Sequence, residues 1–148
     1  MQKLNLPAFP YTLKEVNGKV CIFDVIRKKY LVLSPEEWVR QHFIHYLISS
    51  LKYPKSLIKV EGGLSYNQLS KRSDIVVYDR AAKPWMLVEC KSPQQAINDT
   101  TLRQASVYNA TLKAPYLAVT NGLLHYCTRI DWKENRFDLM QELPPFGI

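Results

Sequence analysis

The chain has 148 residues, 47% of them hydrophobic, with a formal net charge of +7 and a pI near 9.3. That length supports one domain with its own core and excludes two ordinary ones, so residues 1–148 are expected to form a single domain. No run approaches the roughly 18 apolar residues of a membrane span, and the opening MQKLNLPAFPYTLKEV has prolines and charges where a signal peptide needs an unbroken apolar stretch, so a cytoplasmic chain is expected.

Positive charge favours a polyanionic partner. It is spread over Arg27, Lys28 and Lys29, over Lys52, Lys55 and Lys59, and over Lys71 and Arg72. Without a basic tail, any nucleic-acid surface has to be assembled by the fold. Cys21, Cys90 and Cys127 are odd in number, widely spaced and each set in an apolar run. They read as buried reduced thiols, not as a disulfide framework or a zinc site.

In chain order, an extended start leads to KVCIFDVI and KYLVLS, two runs rich in β-branched and aromatic residues that predict a hairpin around Arg27 and Lys28. A helix follows. Ser34 is its N-cap, Pro35 its first residue, and Glu37 stands three after the cap as in a capping box. Val39, Phe43, Tyr46, Leu47 and Leu51 recur at helical spacing, and Pro54 stops the helix. SLIKVE, SDIVVYD and WMLVECK are three predicted strands, the last two joined by the turn DRAAKP, where Asp79 is a turn residue. Asp99 or Thr100 caps a second helix, TLRQASVYNATLK, ended by Pro115. Then come YLAVT, an Asn121-Gly122 turn, LLHYCTRI and a further strand, RFDLM. This order predicts an α/β (α+β) fold: a mixed central sheet with flanking helices, preceded by an N-terminal hairpin and followed by C-terminal strands.

One constellation asks for a chemical explanation. Glu89 and Lys91 lie two apart on a strand, so their side chains leave the same face, while Val88 and Cys90 point to the other. They also sit at the strand's carboxyl end, where open α/β sheets place their sites. If SDIVVYD and WMLVECK pair as an antiparallel hairpin, Asp74 neighbours Glu89 or Lys91. Two carboxylates about 4 Å apart repel by about 4 kcal/mol near a protein surface, so a cation has to accompany them. Lys91 can be that cation, or a metal can; hard oxygen ligands suit Mg²⁺ or Mn²⁺.

Asp74 followed by Glu89-x-Lys91, after a helix with Glu37 and before one with Gln104 and Tyr108, resembles the PD-(D/E)XK nuclease superfamily. More closely, SPEEWVRQ, KRSDIVVYD, LVECKSP, QASVYN and YLAVTNG are similar, in order, to motifs of the N-terminal nuclease domain of the type I restriction enzyme R subunit. The similarity runs from about Ser34 to Leu124. It implies a restriction-endonuclease-like core in the order αβββαβ and a Mg²⁺- or Mn²⁺-dependent deoxyribonuclease. Asp74, Glu89 and the backbone carbonyl of Cys90 would hold the metal, and Lys91 would orient or help deprotonate the attacking water. Glu37 would reach the metal from the first helix, and Gln104 and Tyr108 would face the site from the second.

Phosphate contacts are expected from Lys71, Arg72, Arg103 and Lys113. Ser73 stands where the family often has proline, which removes no ligand. No G-x-x-x-x-G-K-[ST] phosphate loop occurs, so the expected arrangement is a stand-alone nuclease-like domain or a fragment of something longer. A motor or specificity subunit would then come from another chain, and two cuts across a duplex would favour a homodimer.

Plainer explanations compete. Glu89 and Lys91 could be an ion pair at a solvated strand end, and Glu37 could be explained by its capping box. Glu36 shares the apolar stripe with Val39 and Phe43 and competes for the inward role. Gln104 and Tyr108 could be a surface i,i+4 pair. His42 and His45, three apart, read as half-buried helix histidines because nothing completes a zinc set. His125 reads as a packing residue, and the tryptophans Trp38, Trp85 and Trp132 read as core or subunit-contact residues. The whole could also be a nucleic-acid-binding or docking module that keeps a nuclease scaffold without cutting.

Overall fold

The computed structural model describes residues 1–60 and 75–147. Asp74, Lys71 and Arg72 therefore lie outside the described residues. The N-terminal part forms an antiparallel three-stranded sheet, β1 (Leu13–Val16), β2 (Lys19–Asp24) and β3 (Lys29–Val32). The sequence predicts the β2–β3 hairpin; β1 is an addition. Its signal is the Asn17-Gly18 pair, which turns the chain with φ of 53° and 80°, the left-handed conformation that two-residue hairpin turns require.

Helix α1 (Pro35–His45) begins as predicted, with the Ser34 hydroxyl accepting from the Glu37 N–H and Pro35 in the first turn. The helix widens into a π-helical turn over Tyr46–Ser50 and stops before Pro54. Val39, Phe43, Ile44 and Leu47 are fully buried, each contributing about 2 kcal/mol of apolar burial.

The second sheet has the order β4 (Ile58–Val60), β5 (Ile75–Tyr78), β6 (Pro84–Cys90), β7 (Tyr116–Thr120), β8 (His125–Asp131) and β9 (Arg136–Met140). All neighbours are antiparallel except β6 and β7. A parallel pair needs a crossover, which is helix α2 (Asp99–Leu112). The fold is thus mixed α+β with helices packed on a sheet, consistent with the nuclease-like class expected. Asp79 makes the β5–β6 turn by accepting from the Ala81 and Lys83 N–H groups. The cap of α2 is one residue earlier than predicted: Asn98 accepts from the Thr101 N–H and the Thr101 hydroxyl reaches back, because asparagine followed three on by threonine closes a reciprocal box.

Alternation along the strands gives the sheet two packed faces. Ile75, Val77, Met86, Val88, Cys90 and Ala118 join the α1 residues in one core. Val76, Leu87, Leu117 and Val119 join Ala105 of α2 in the other.

Candidate functional site

Strand β6 runs between β5 and β7, and its last residues carry the chemistry. Val88 is paired with Ile75, Glu89 with Val119 and Cys90 with Thr120. The Lys91 N–H donates to the Thr120 carbonyl at 2.8 Å, so extended pairing continues one residue past the strand. Alternation then sends Glu89 and Lys91 to the face of Leu87, the α2 side, as the sequence predicts. Lys91 Nζ lies 3.0 Å from Glu89 Oε2, with the two side chains 17% and 7% exposed. Among the described residues Lys91 is the only polar partner of the Glu89 carboxylate, leaving Oε1 free of hydrogen bonds from them. Asp74 lies outside the described residues; its sequence neighbour Ile75 is the partner of Val88. The Cys90 side chain is buried on the opposite face, within the α1 core.

The other residues expected on this side belong to α2. The helix leaves the carboxyl end of β6 and returns to the start of β7, so its first turns lie at the Glu89 end of the sheet. Tyr108 is half-buried against Val76, Leu87 and Leu117. Gln104 is exposed, and no hydrogen bond among the described residues ties it to Glu89 or Lys91. Arg103 is exposed as well. Lys113 takes a left-handed conformation at the end of α2, with its ammonium 5.7 Å from the centre of the Trp132 ring.

Glu37 has a different setting. It is buried while Glu36 is more exposed, so Glu37 is the inward-facing one of the two. Its carboxylate, however, accepts from Arg40 Nη1 at 2.5 Å, Gln41 Nε2 at 2.7 Å and Arg27 Nη2 at 3.5 Å. Gln41 also donates to Asp24 Oδ2 at 3.1 Å, and Arg27 Nε bonds the same carboxylate at 2.8 Å. Burial would raise the Asp24 pKa, but the Arg27 backbone N–H and guanidinium, with the Ile26 N–H, outweigh it and hold the group below its ordinary value. Helix α1 packs on the face of Val88 and Cys90, opposite that of Glu89. The structure therefore brings Glu89 and Lys91 together and places Glu37 in a separate cluster with Arg27, Arg40, Gln41 and Asp24.

That cluster escaped the sequence reading. Arg40 and Gln41 stand three and four residues after Glu37, a spacing that announces helix-face pairs; nothing local ties Asp24 to them. Gln41 Oε1 is buried with no partner among the described residues. A buried carbonyl in that state costs about 1–3 kcal/mol. Turning the amide over would set that oxygen against two carboxylates, so the observed orientation is the better one.

The remaining candidates pack. His42 Nδ1 meets the Trp38 carbonyl and its ring abuts Phe9, while His45 stacks on Phe9. His125 joins the Thr120 hydroxyl and the Asn5 carbonyl. Burial lowers the pKa of all three. The three cysteines are buried and form no disulfide, and burial pushes the Cys127 thiol up to about 12. Trp38 is buried with its indole N–H on the Gln2 carbonyl, and Trp132 donates to the Ala114 carbonyl. No described helix is long and apolar enough to cross a membrane.

Against this geometry, the family model for the N terminus of the type I restriction enzyme R protein matches residues 35–144, from the first residue of α1 to just beyond β9. No curated protein matches the chain.

Proposed function

The chain belongs to the family of the type I restriction enzyme R protein N terminus, and from that premise we propose that it is a metal-dependent DNA endonuclease domain, cytoplasmic, hydrolysing phosphodiester bonds. The observation that carries this reading is the Glu89 carboxylate. It is almost wholly enclosed at the carboxyl end of a central strand, with Lys91 3.0 Å from one oxygen and no hydrogen bond to the other from the described residues. A structural ion pair this buried is costly unless its hydrogen-bonding capacity is filled. A site acid has reason to keep an acceptor open.

The donor chemistry fits a hard divalent cation. Glu89 and Asp74, with the backbone carbonyl of Cys90, would hold Mg²⁺ or Mn²⁺ as an all-oxygen set completed by water. The pairing of Ile75 with Val88 supports including Asp74, the residue that precedes Ile75. When bound, such an ion supplies a Lewis acid for the phosphate and acidifies water. The ammonium of Lys91, fixed by Glu89, orients the attacking water and compensates charge on the phosphate oxygens. Tyr108 and Gln104 of α2 border the same face, Gln104 from an exposed position that DNA would cover. Glu37, with three donors on its carboxylate, would act on the metal only through intervening groups.

The partners in this reading are DNA and a motor or specificity subunit from another chain. Lys71, Arg72, Arg103 and Lys113 would bind phosphates, giving salt-dependent affinity with little sequence preference. The test is plasmid cleavage in Mg²⁺ or Mn²⁺ by the wild type and by Asp74→Ala and Lys91→Ala. Loss of cutting in both variants is expected; unchanged cutting assigns the activity elsewhere. A non-cutting DNA-binding module would instead hold DNA equally well in chelator and gain no thermal stability from Mg²⁺.

A further inference from the structure

Among the described residues strand β9 is an edge of the six-stranded sheet, paired with β8 alone. Phe137 and Leu139 lie opposite Ile130 and Thr128, on the α2 face, and are 46% and 70% exposed. With Leu102, Arg103, Ser106 and Thr128 they line a shallow hollow beside α2. Arg136 and Asp138 alternate to the other face, bonded at 3.2 Å and both more than half exposed. Charged residues on an edge strand ordinarily block pairing with another chain. Their order here makes them self-complementary in one register.

Two antiparallel copies of a strand related by a two-fold axis perpendicular to the sheet pair residue i with residue j only when i and j lie on the same face. The axis therefore passes midway between one residue and its own copy. Centred on Phe137, Arg136 of each chain faces Asp138 of the other, both charge pairs are attractive, Phe137 meets its own copy, and Leu139 lies opposite Asn135 at the end of the β8–β9 turn, diagonal to the other Phe137. Centring on Arg136 or Asp138 sets that charge against itself, and centring on Leu139 puts Asp138 opposite Met140. The other outer strands offer no such solution: β3 and β4 each carry a single charge, a lysine. In β1, Lys14 and Glu15 are adjacent, so they occupy opposite faces and never oppose each other across a two-fold.

We propose that β9 is a homodimerisation edge, joining two copies of the chain antiparallel about Phe137 through Arg136–Asp138 into a twelve-stranded sheet, with Phe137 covered at the seam and Leu139 flanking it. This stands independently of the proposed chemistry. It also supplies two copies of the Glu89 site in one assembly, as two cuts across a duplex require.

Sedimentation of the full 148-residue chain over a concentration series tests this. The wild type is expected to be a dimer of 17.2 kDa chains. Asp138→Arg and Leu139→Lys each weaken self-association by about tenfold or more, and the double swap Arg136→Asp with Asp138→Arg restores it. All these side chains are exposed, and thermal melts of the variants serve as the check that they remain folded. A wild type still monomeric at about 1 mM leaves the edge to a different chain and overturns the proposal. A dimer indifferent to Asp138→Arg and Leu139→Lys overturns it equally, and failure of the double swap to restore pairing overturns the register.

Discussion

The two faces of the six-stranded sheet both enclose charge, and they resolve it differently. On the α1 side, Asp24 and Glu37 share Arg27, Arg40 and Gln41 in a network where each carboxylate takes several donors. On the α2 side, Glu89 has Lys91 alone among the described residues. A network in which each carboxylate takes several donors ties β2 and its turn to α1 and specifies structure. A carboxylate with one oxygen unbonded by the described residues is suited to receive something. Burial by itself does not separate structural acids from functional ones; the count of donors does.

The largest expected effect probes the open side. Lys91→Ala or Asp74→Ala should lower cleavage by about 100-fold or more while the folded chain persists, as measured by initial rates on supercoiled plasmid in Mg²⁺. Retained rates would erase the contrast between the faces. Next, the closed side should answer in stability: Asp24→Ala strands Arg27 and Gln41 and should cost about 3 kcal/mol or more in denaturant unfolding, leaving thermal stabilisation by Mg²⁺ in place. A variant as stable as the wild type would show the network to be ornamental.

A third effect is pH dependence. The folded-state pKa values of His42, His45 and His125 are lowered by burial from 6.5, so the unfolded chain binds more protons below that value. Stability is therefore full above about pH 6.5 and falls as pH drops through the folded pKa values. Asp24, also lowered, from 3.8, adds its loss only below that value. Denaturant midpoints should decline between about pH 7.5 and about pH 5; a flat profile would contradict the burial of the three rings. The smallest effect belongs to the exposed cations. Arg103→Ala and Lys113→Ala should each weaken DNA binding a few-fold and reduce the salt slope by about one unit, read from binding isotherms at several salt concentrations.

Much of the fold was legible because local rules sufficed. Ser34, Pro35 and Pro54 bracket α1 and its π-helical extension, Asp79 builds its turn, and Glu89 and Lys91 share a face by strand parity alone. What was missed depends on distance in sequence. The Asn17-Gly18 turn was readable, but β1 carries too few apolar residues to stand out as a strand, each of its four being exposed. The Asp24–Glu37 cluster arises when the β2–β3 turn lands on α1, and no spacing rule encodes that meeting. Glu37 shows the limit most clearly: the capping position predicts its backbone contact with Ser34, whereas its side chain follows Arg40, Gln41 and Arg27.

The most direct measurement is calorimetric titration of Mg²⁺ or Mn²⁺ into the wild type and into Glu89→Ala. Saturable binding by the wild type that disappears in the variant is the predicted result. Identical heats in the two proteins would contradict the assignment of the Glu89 carboxylate as a metal ligand.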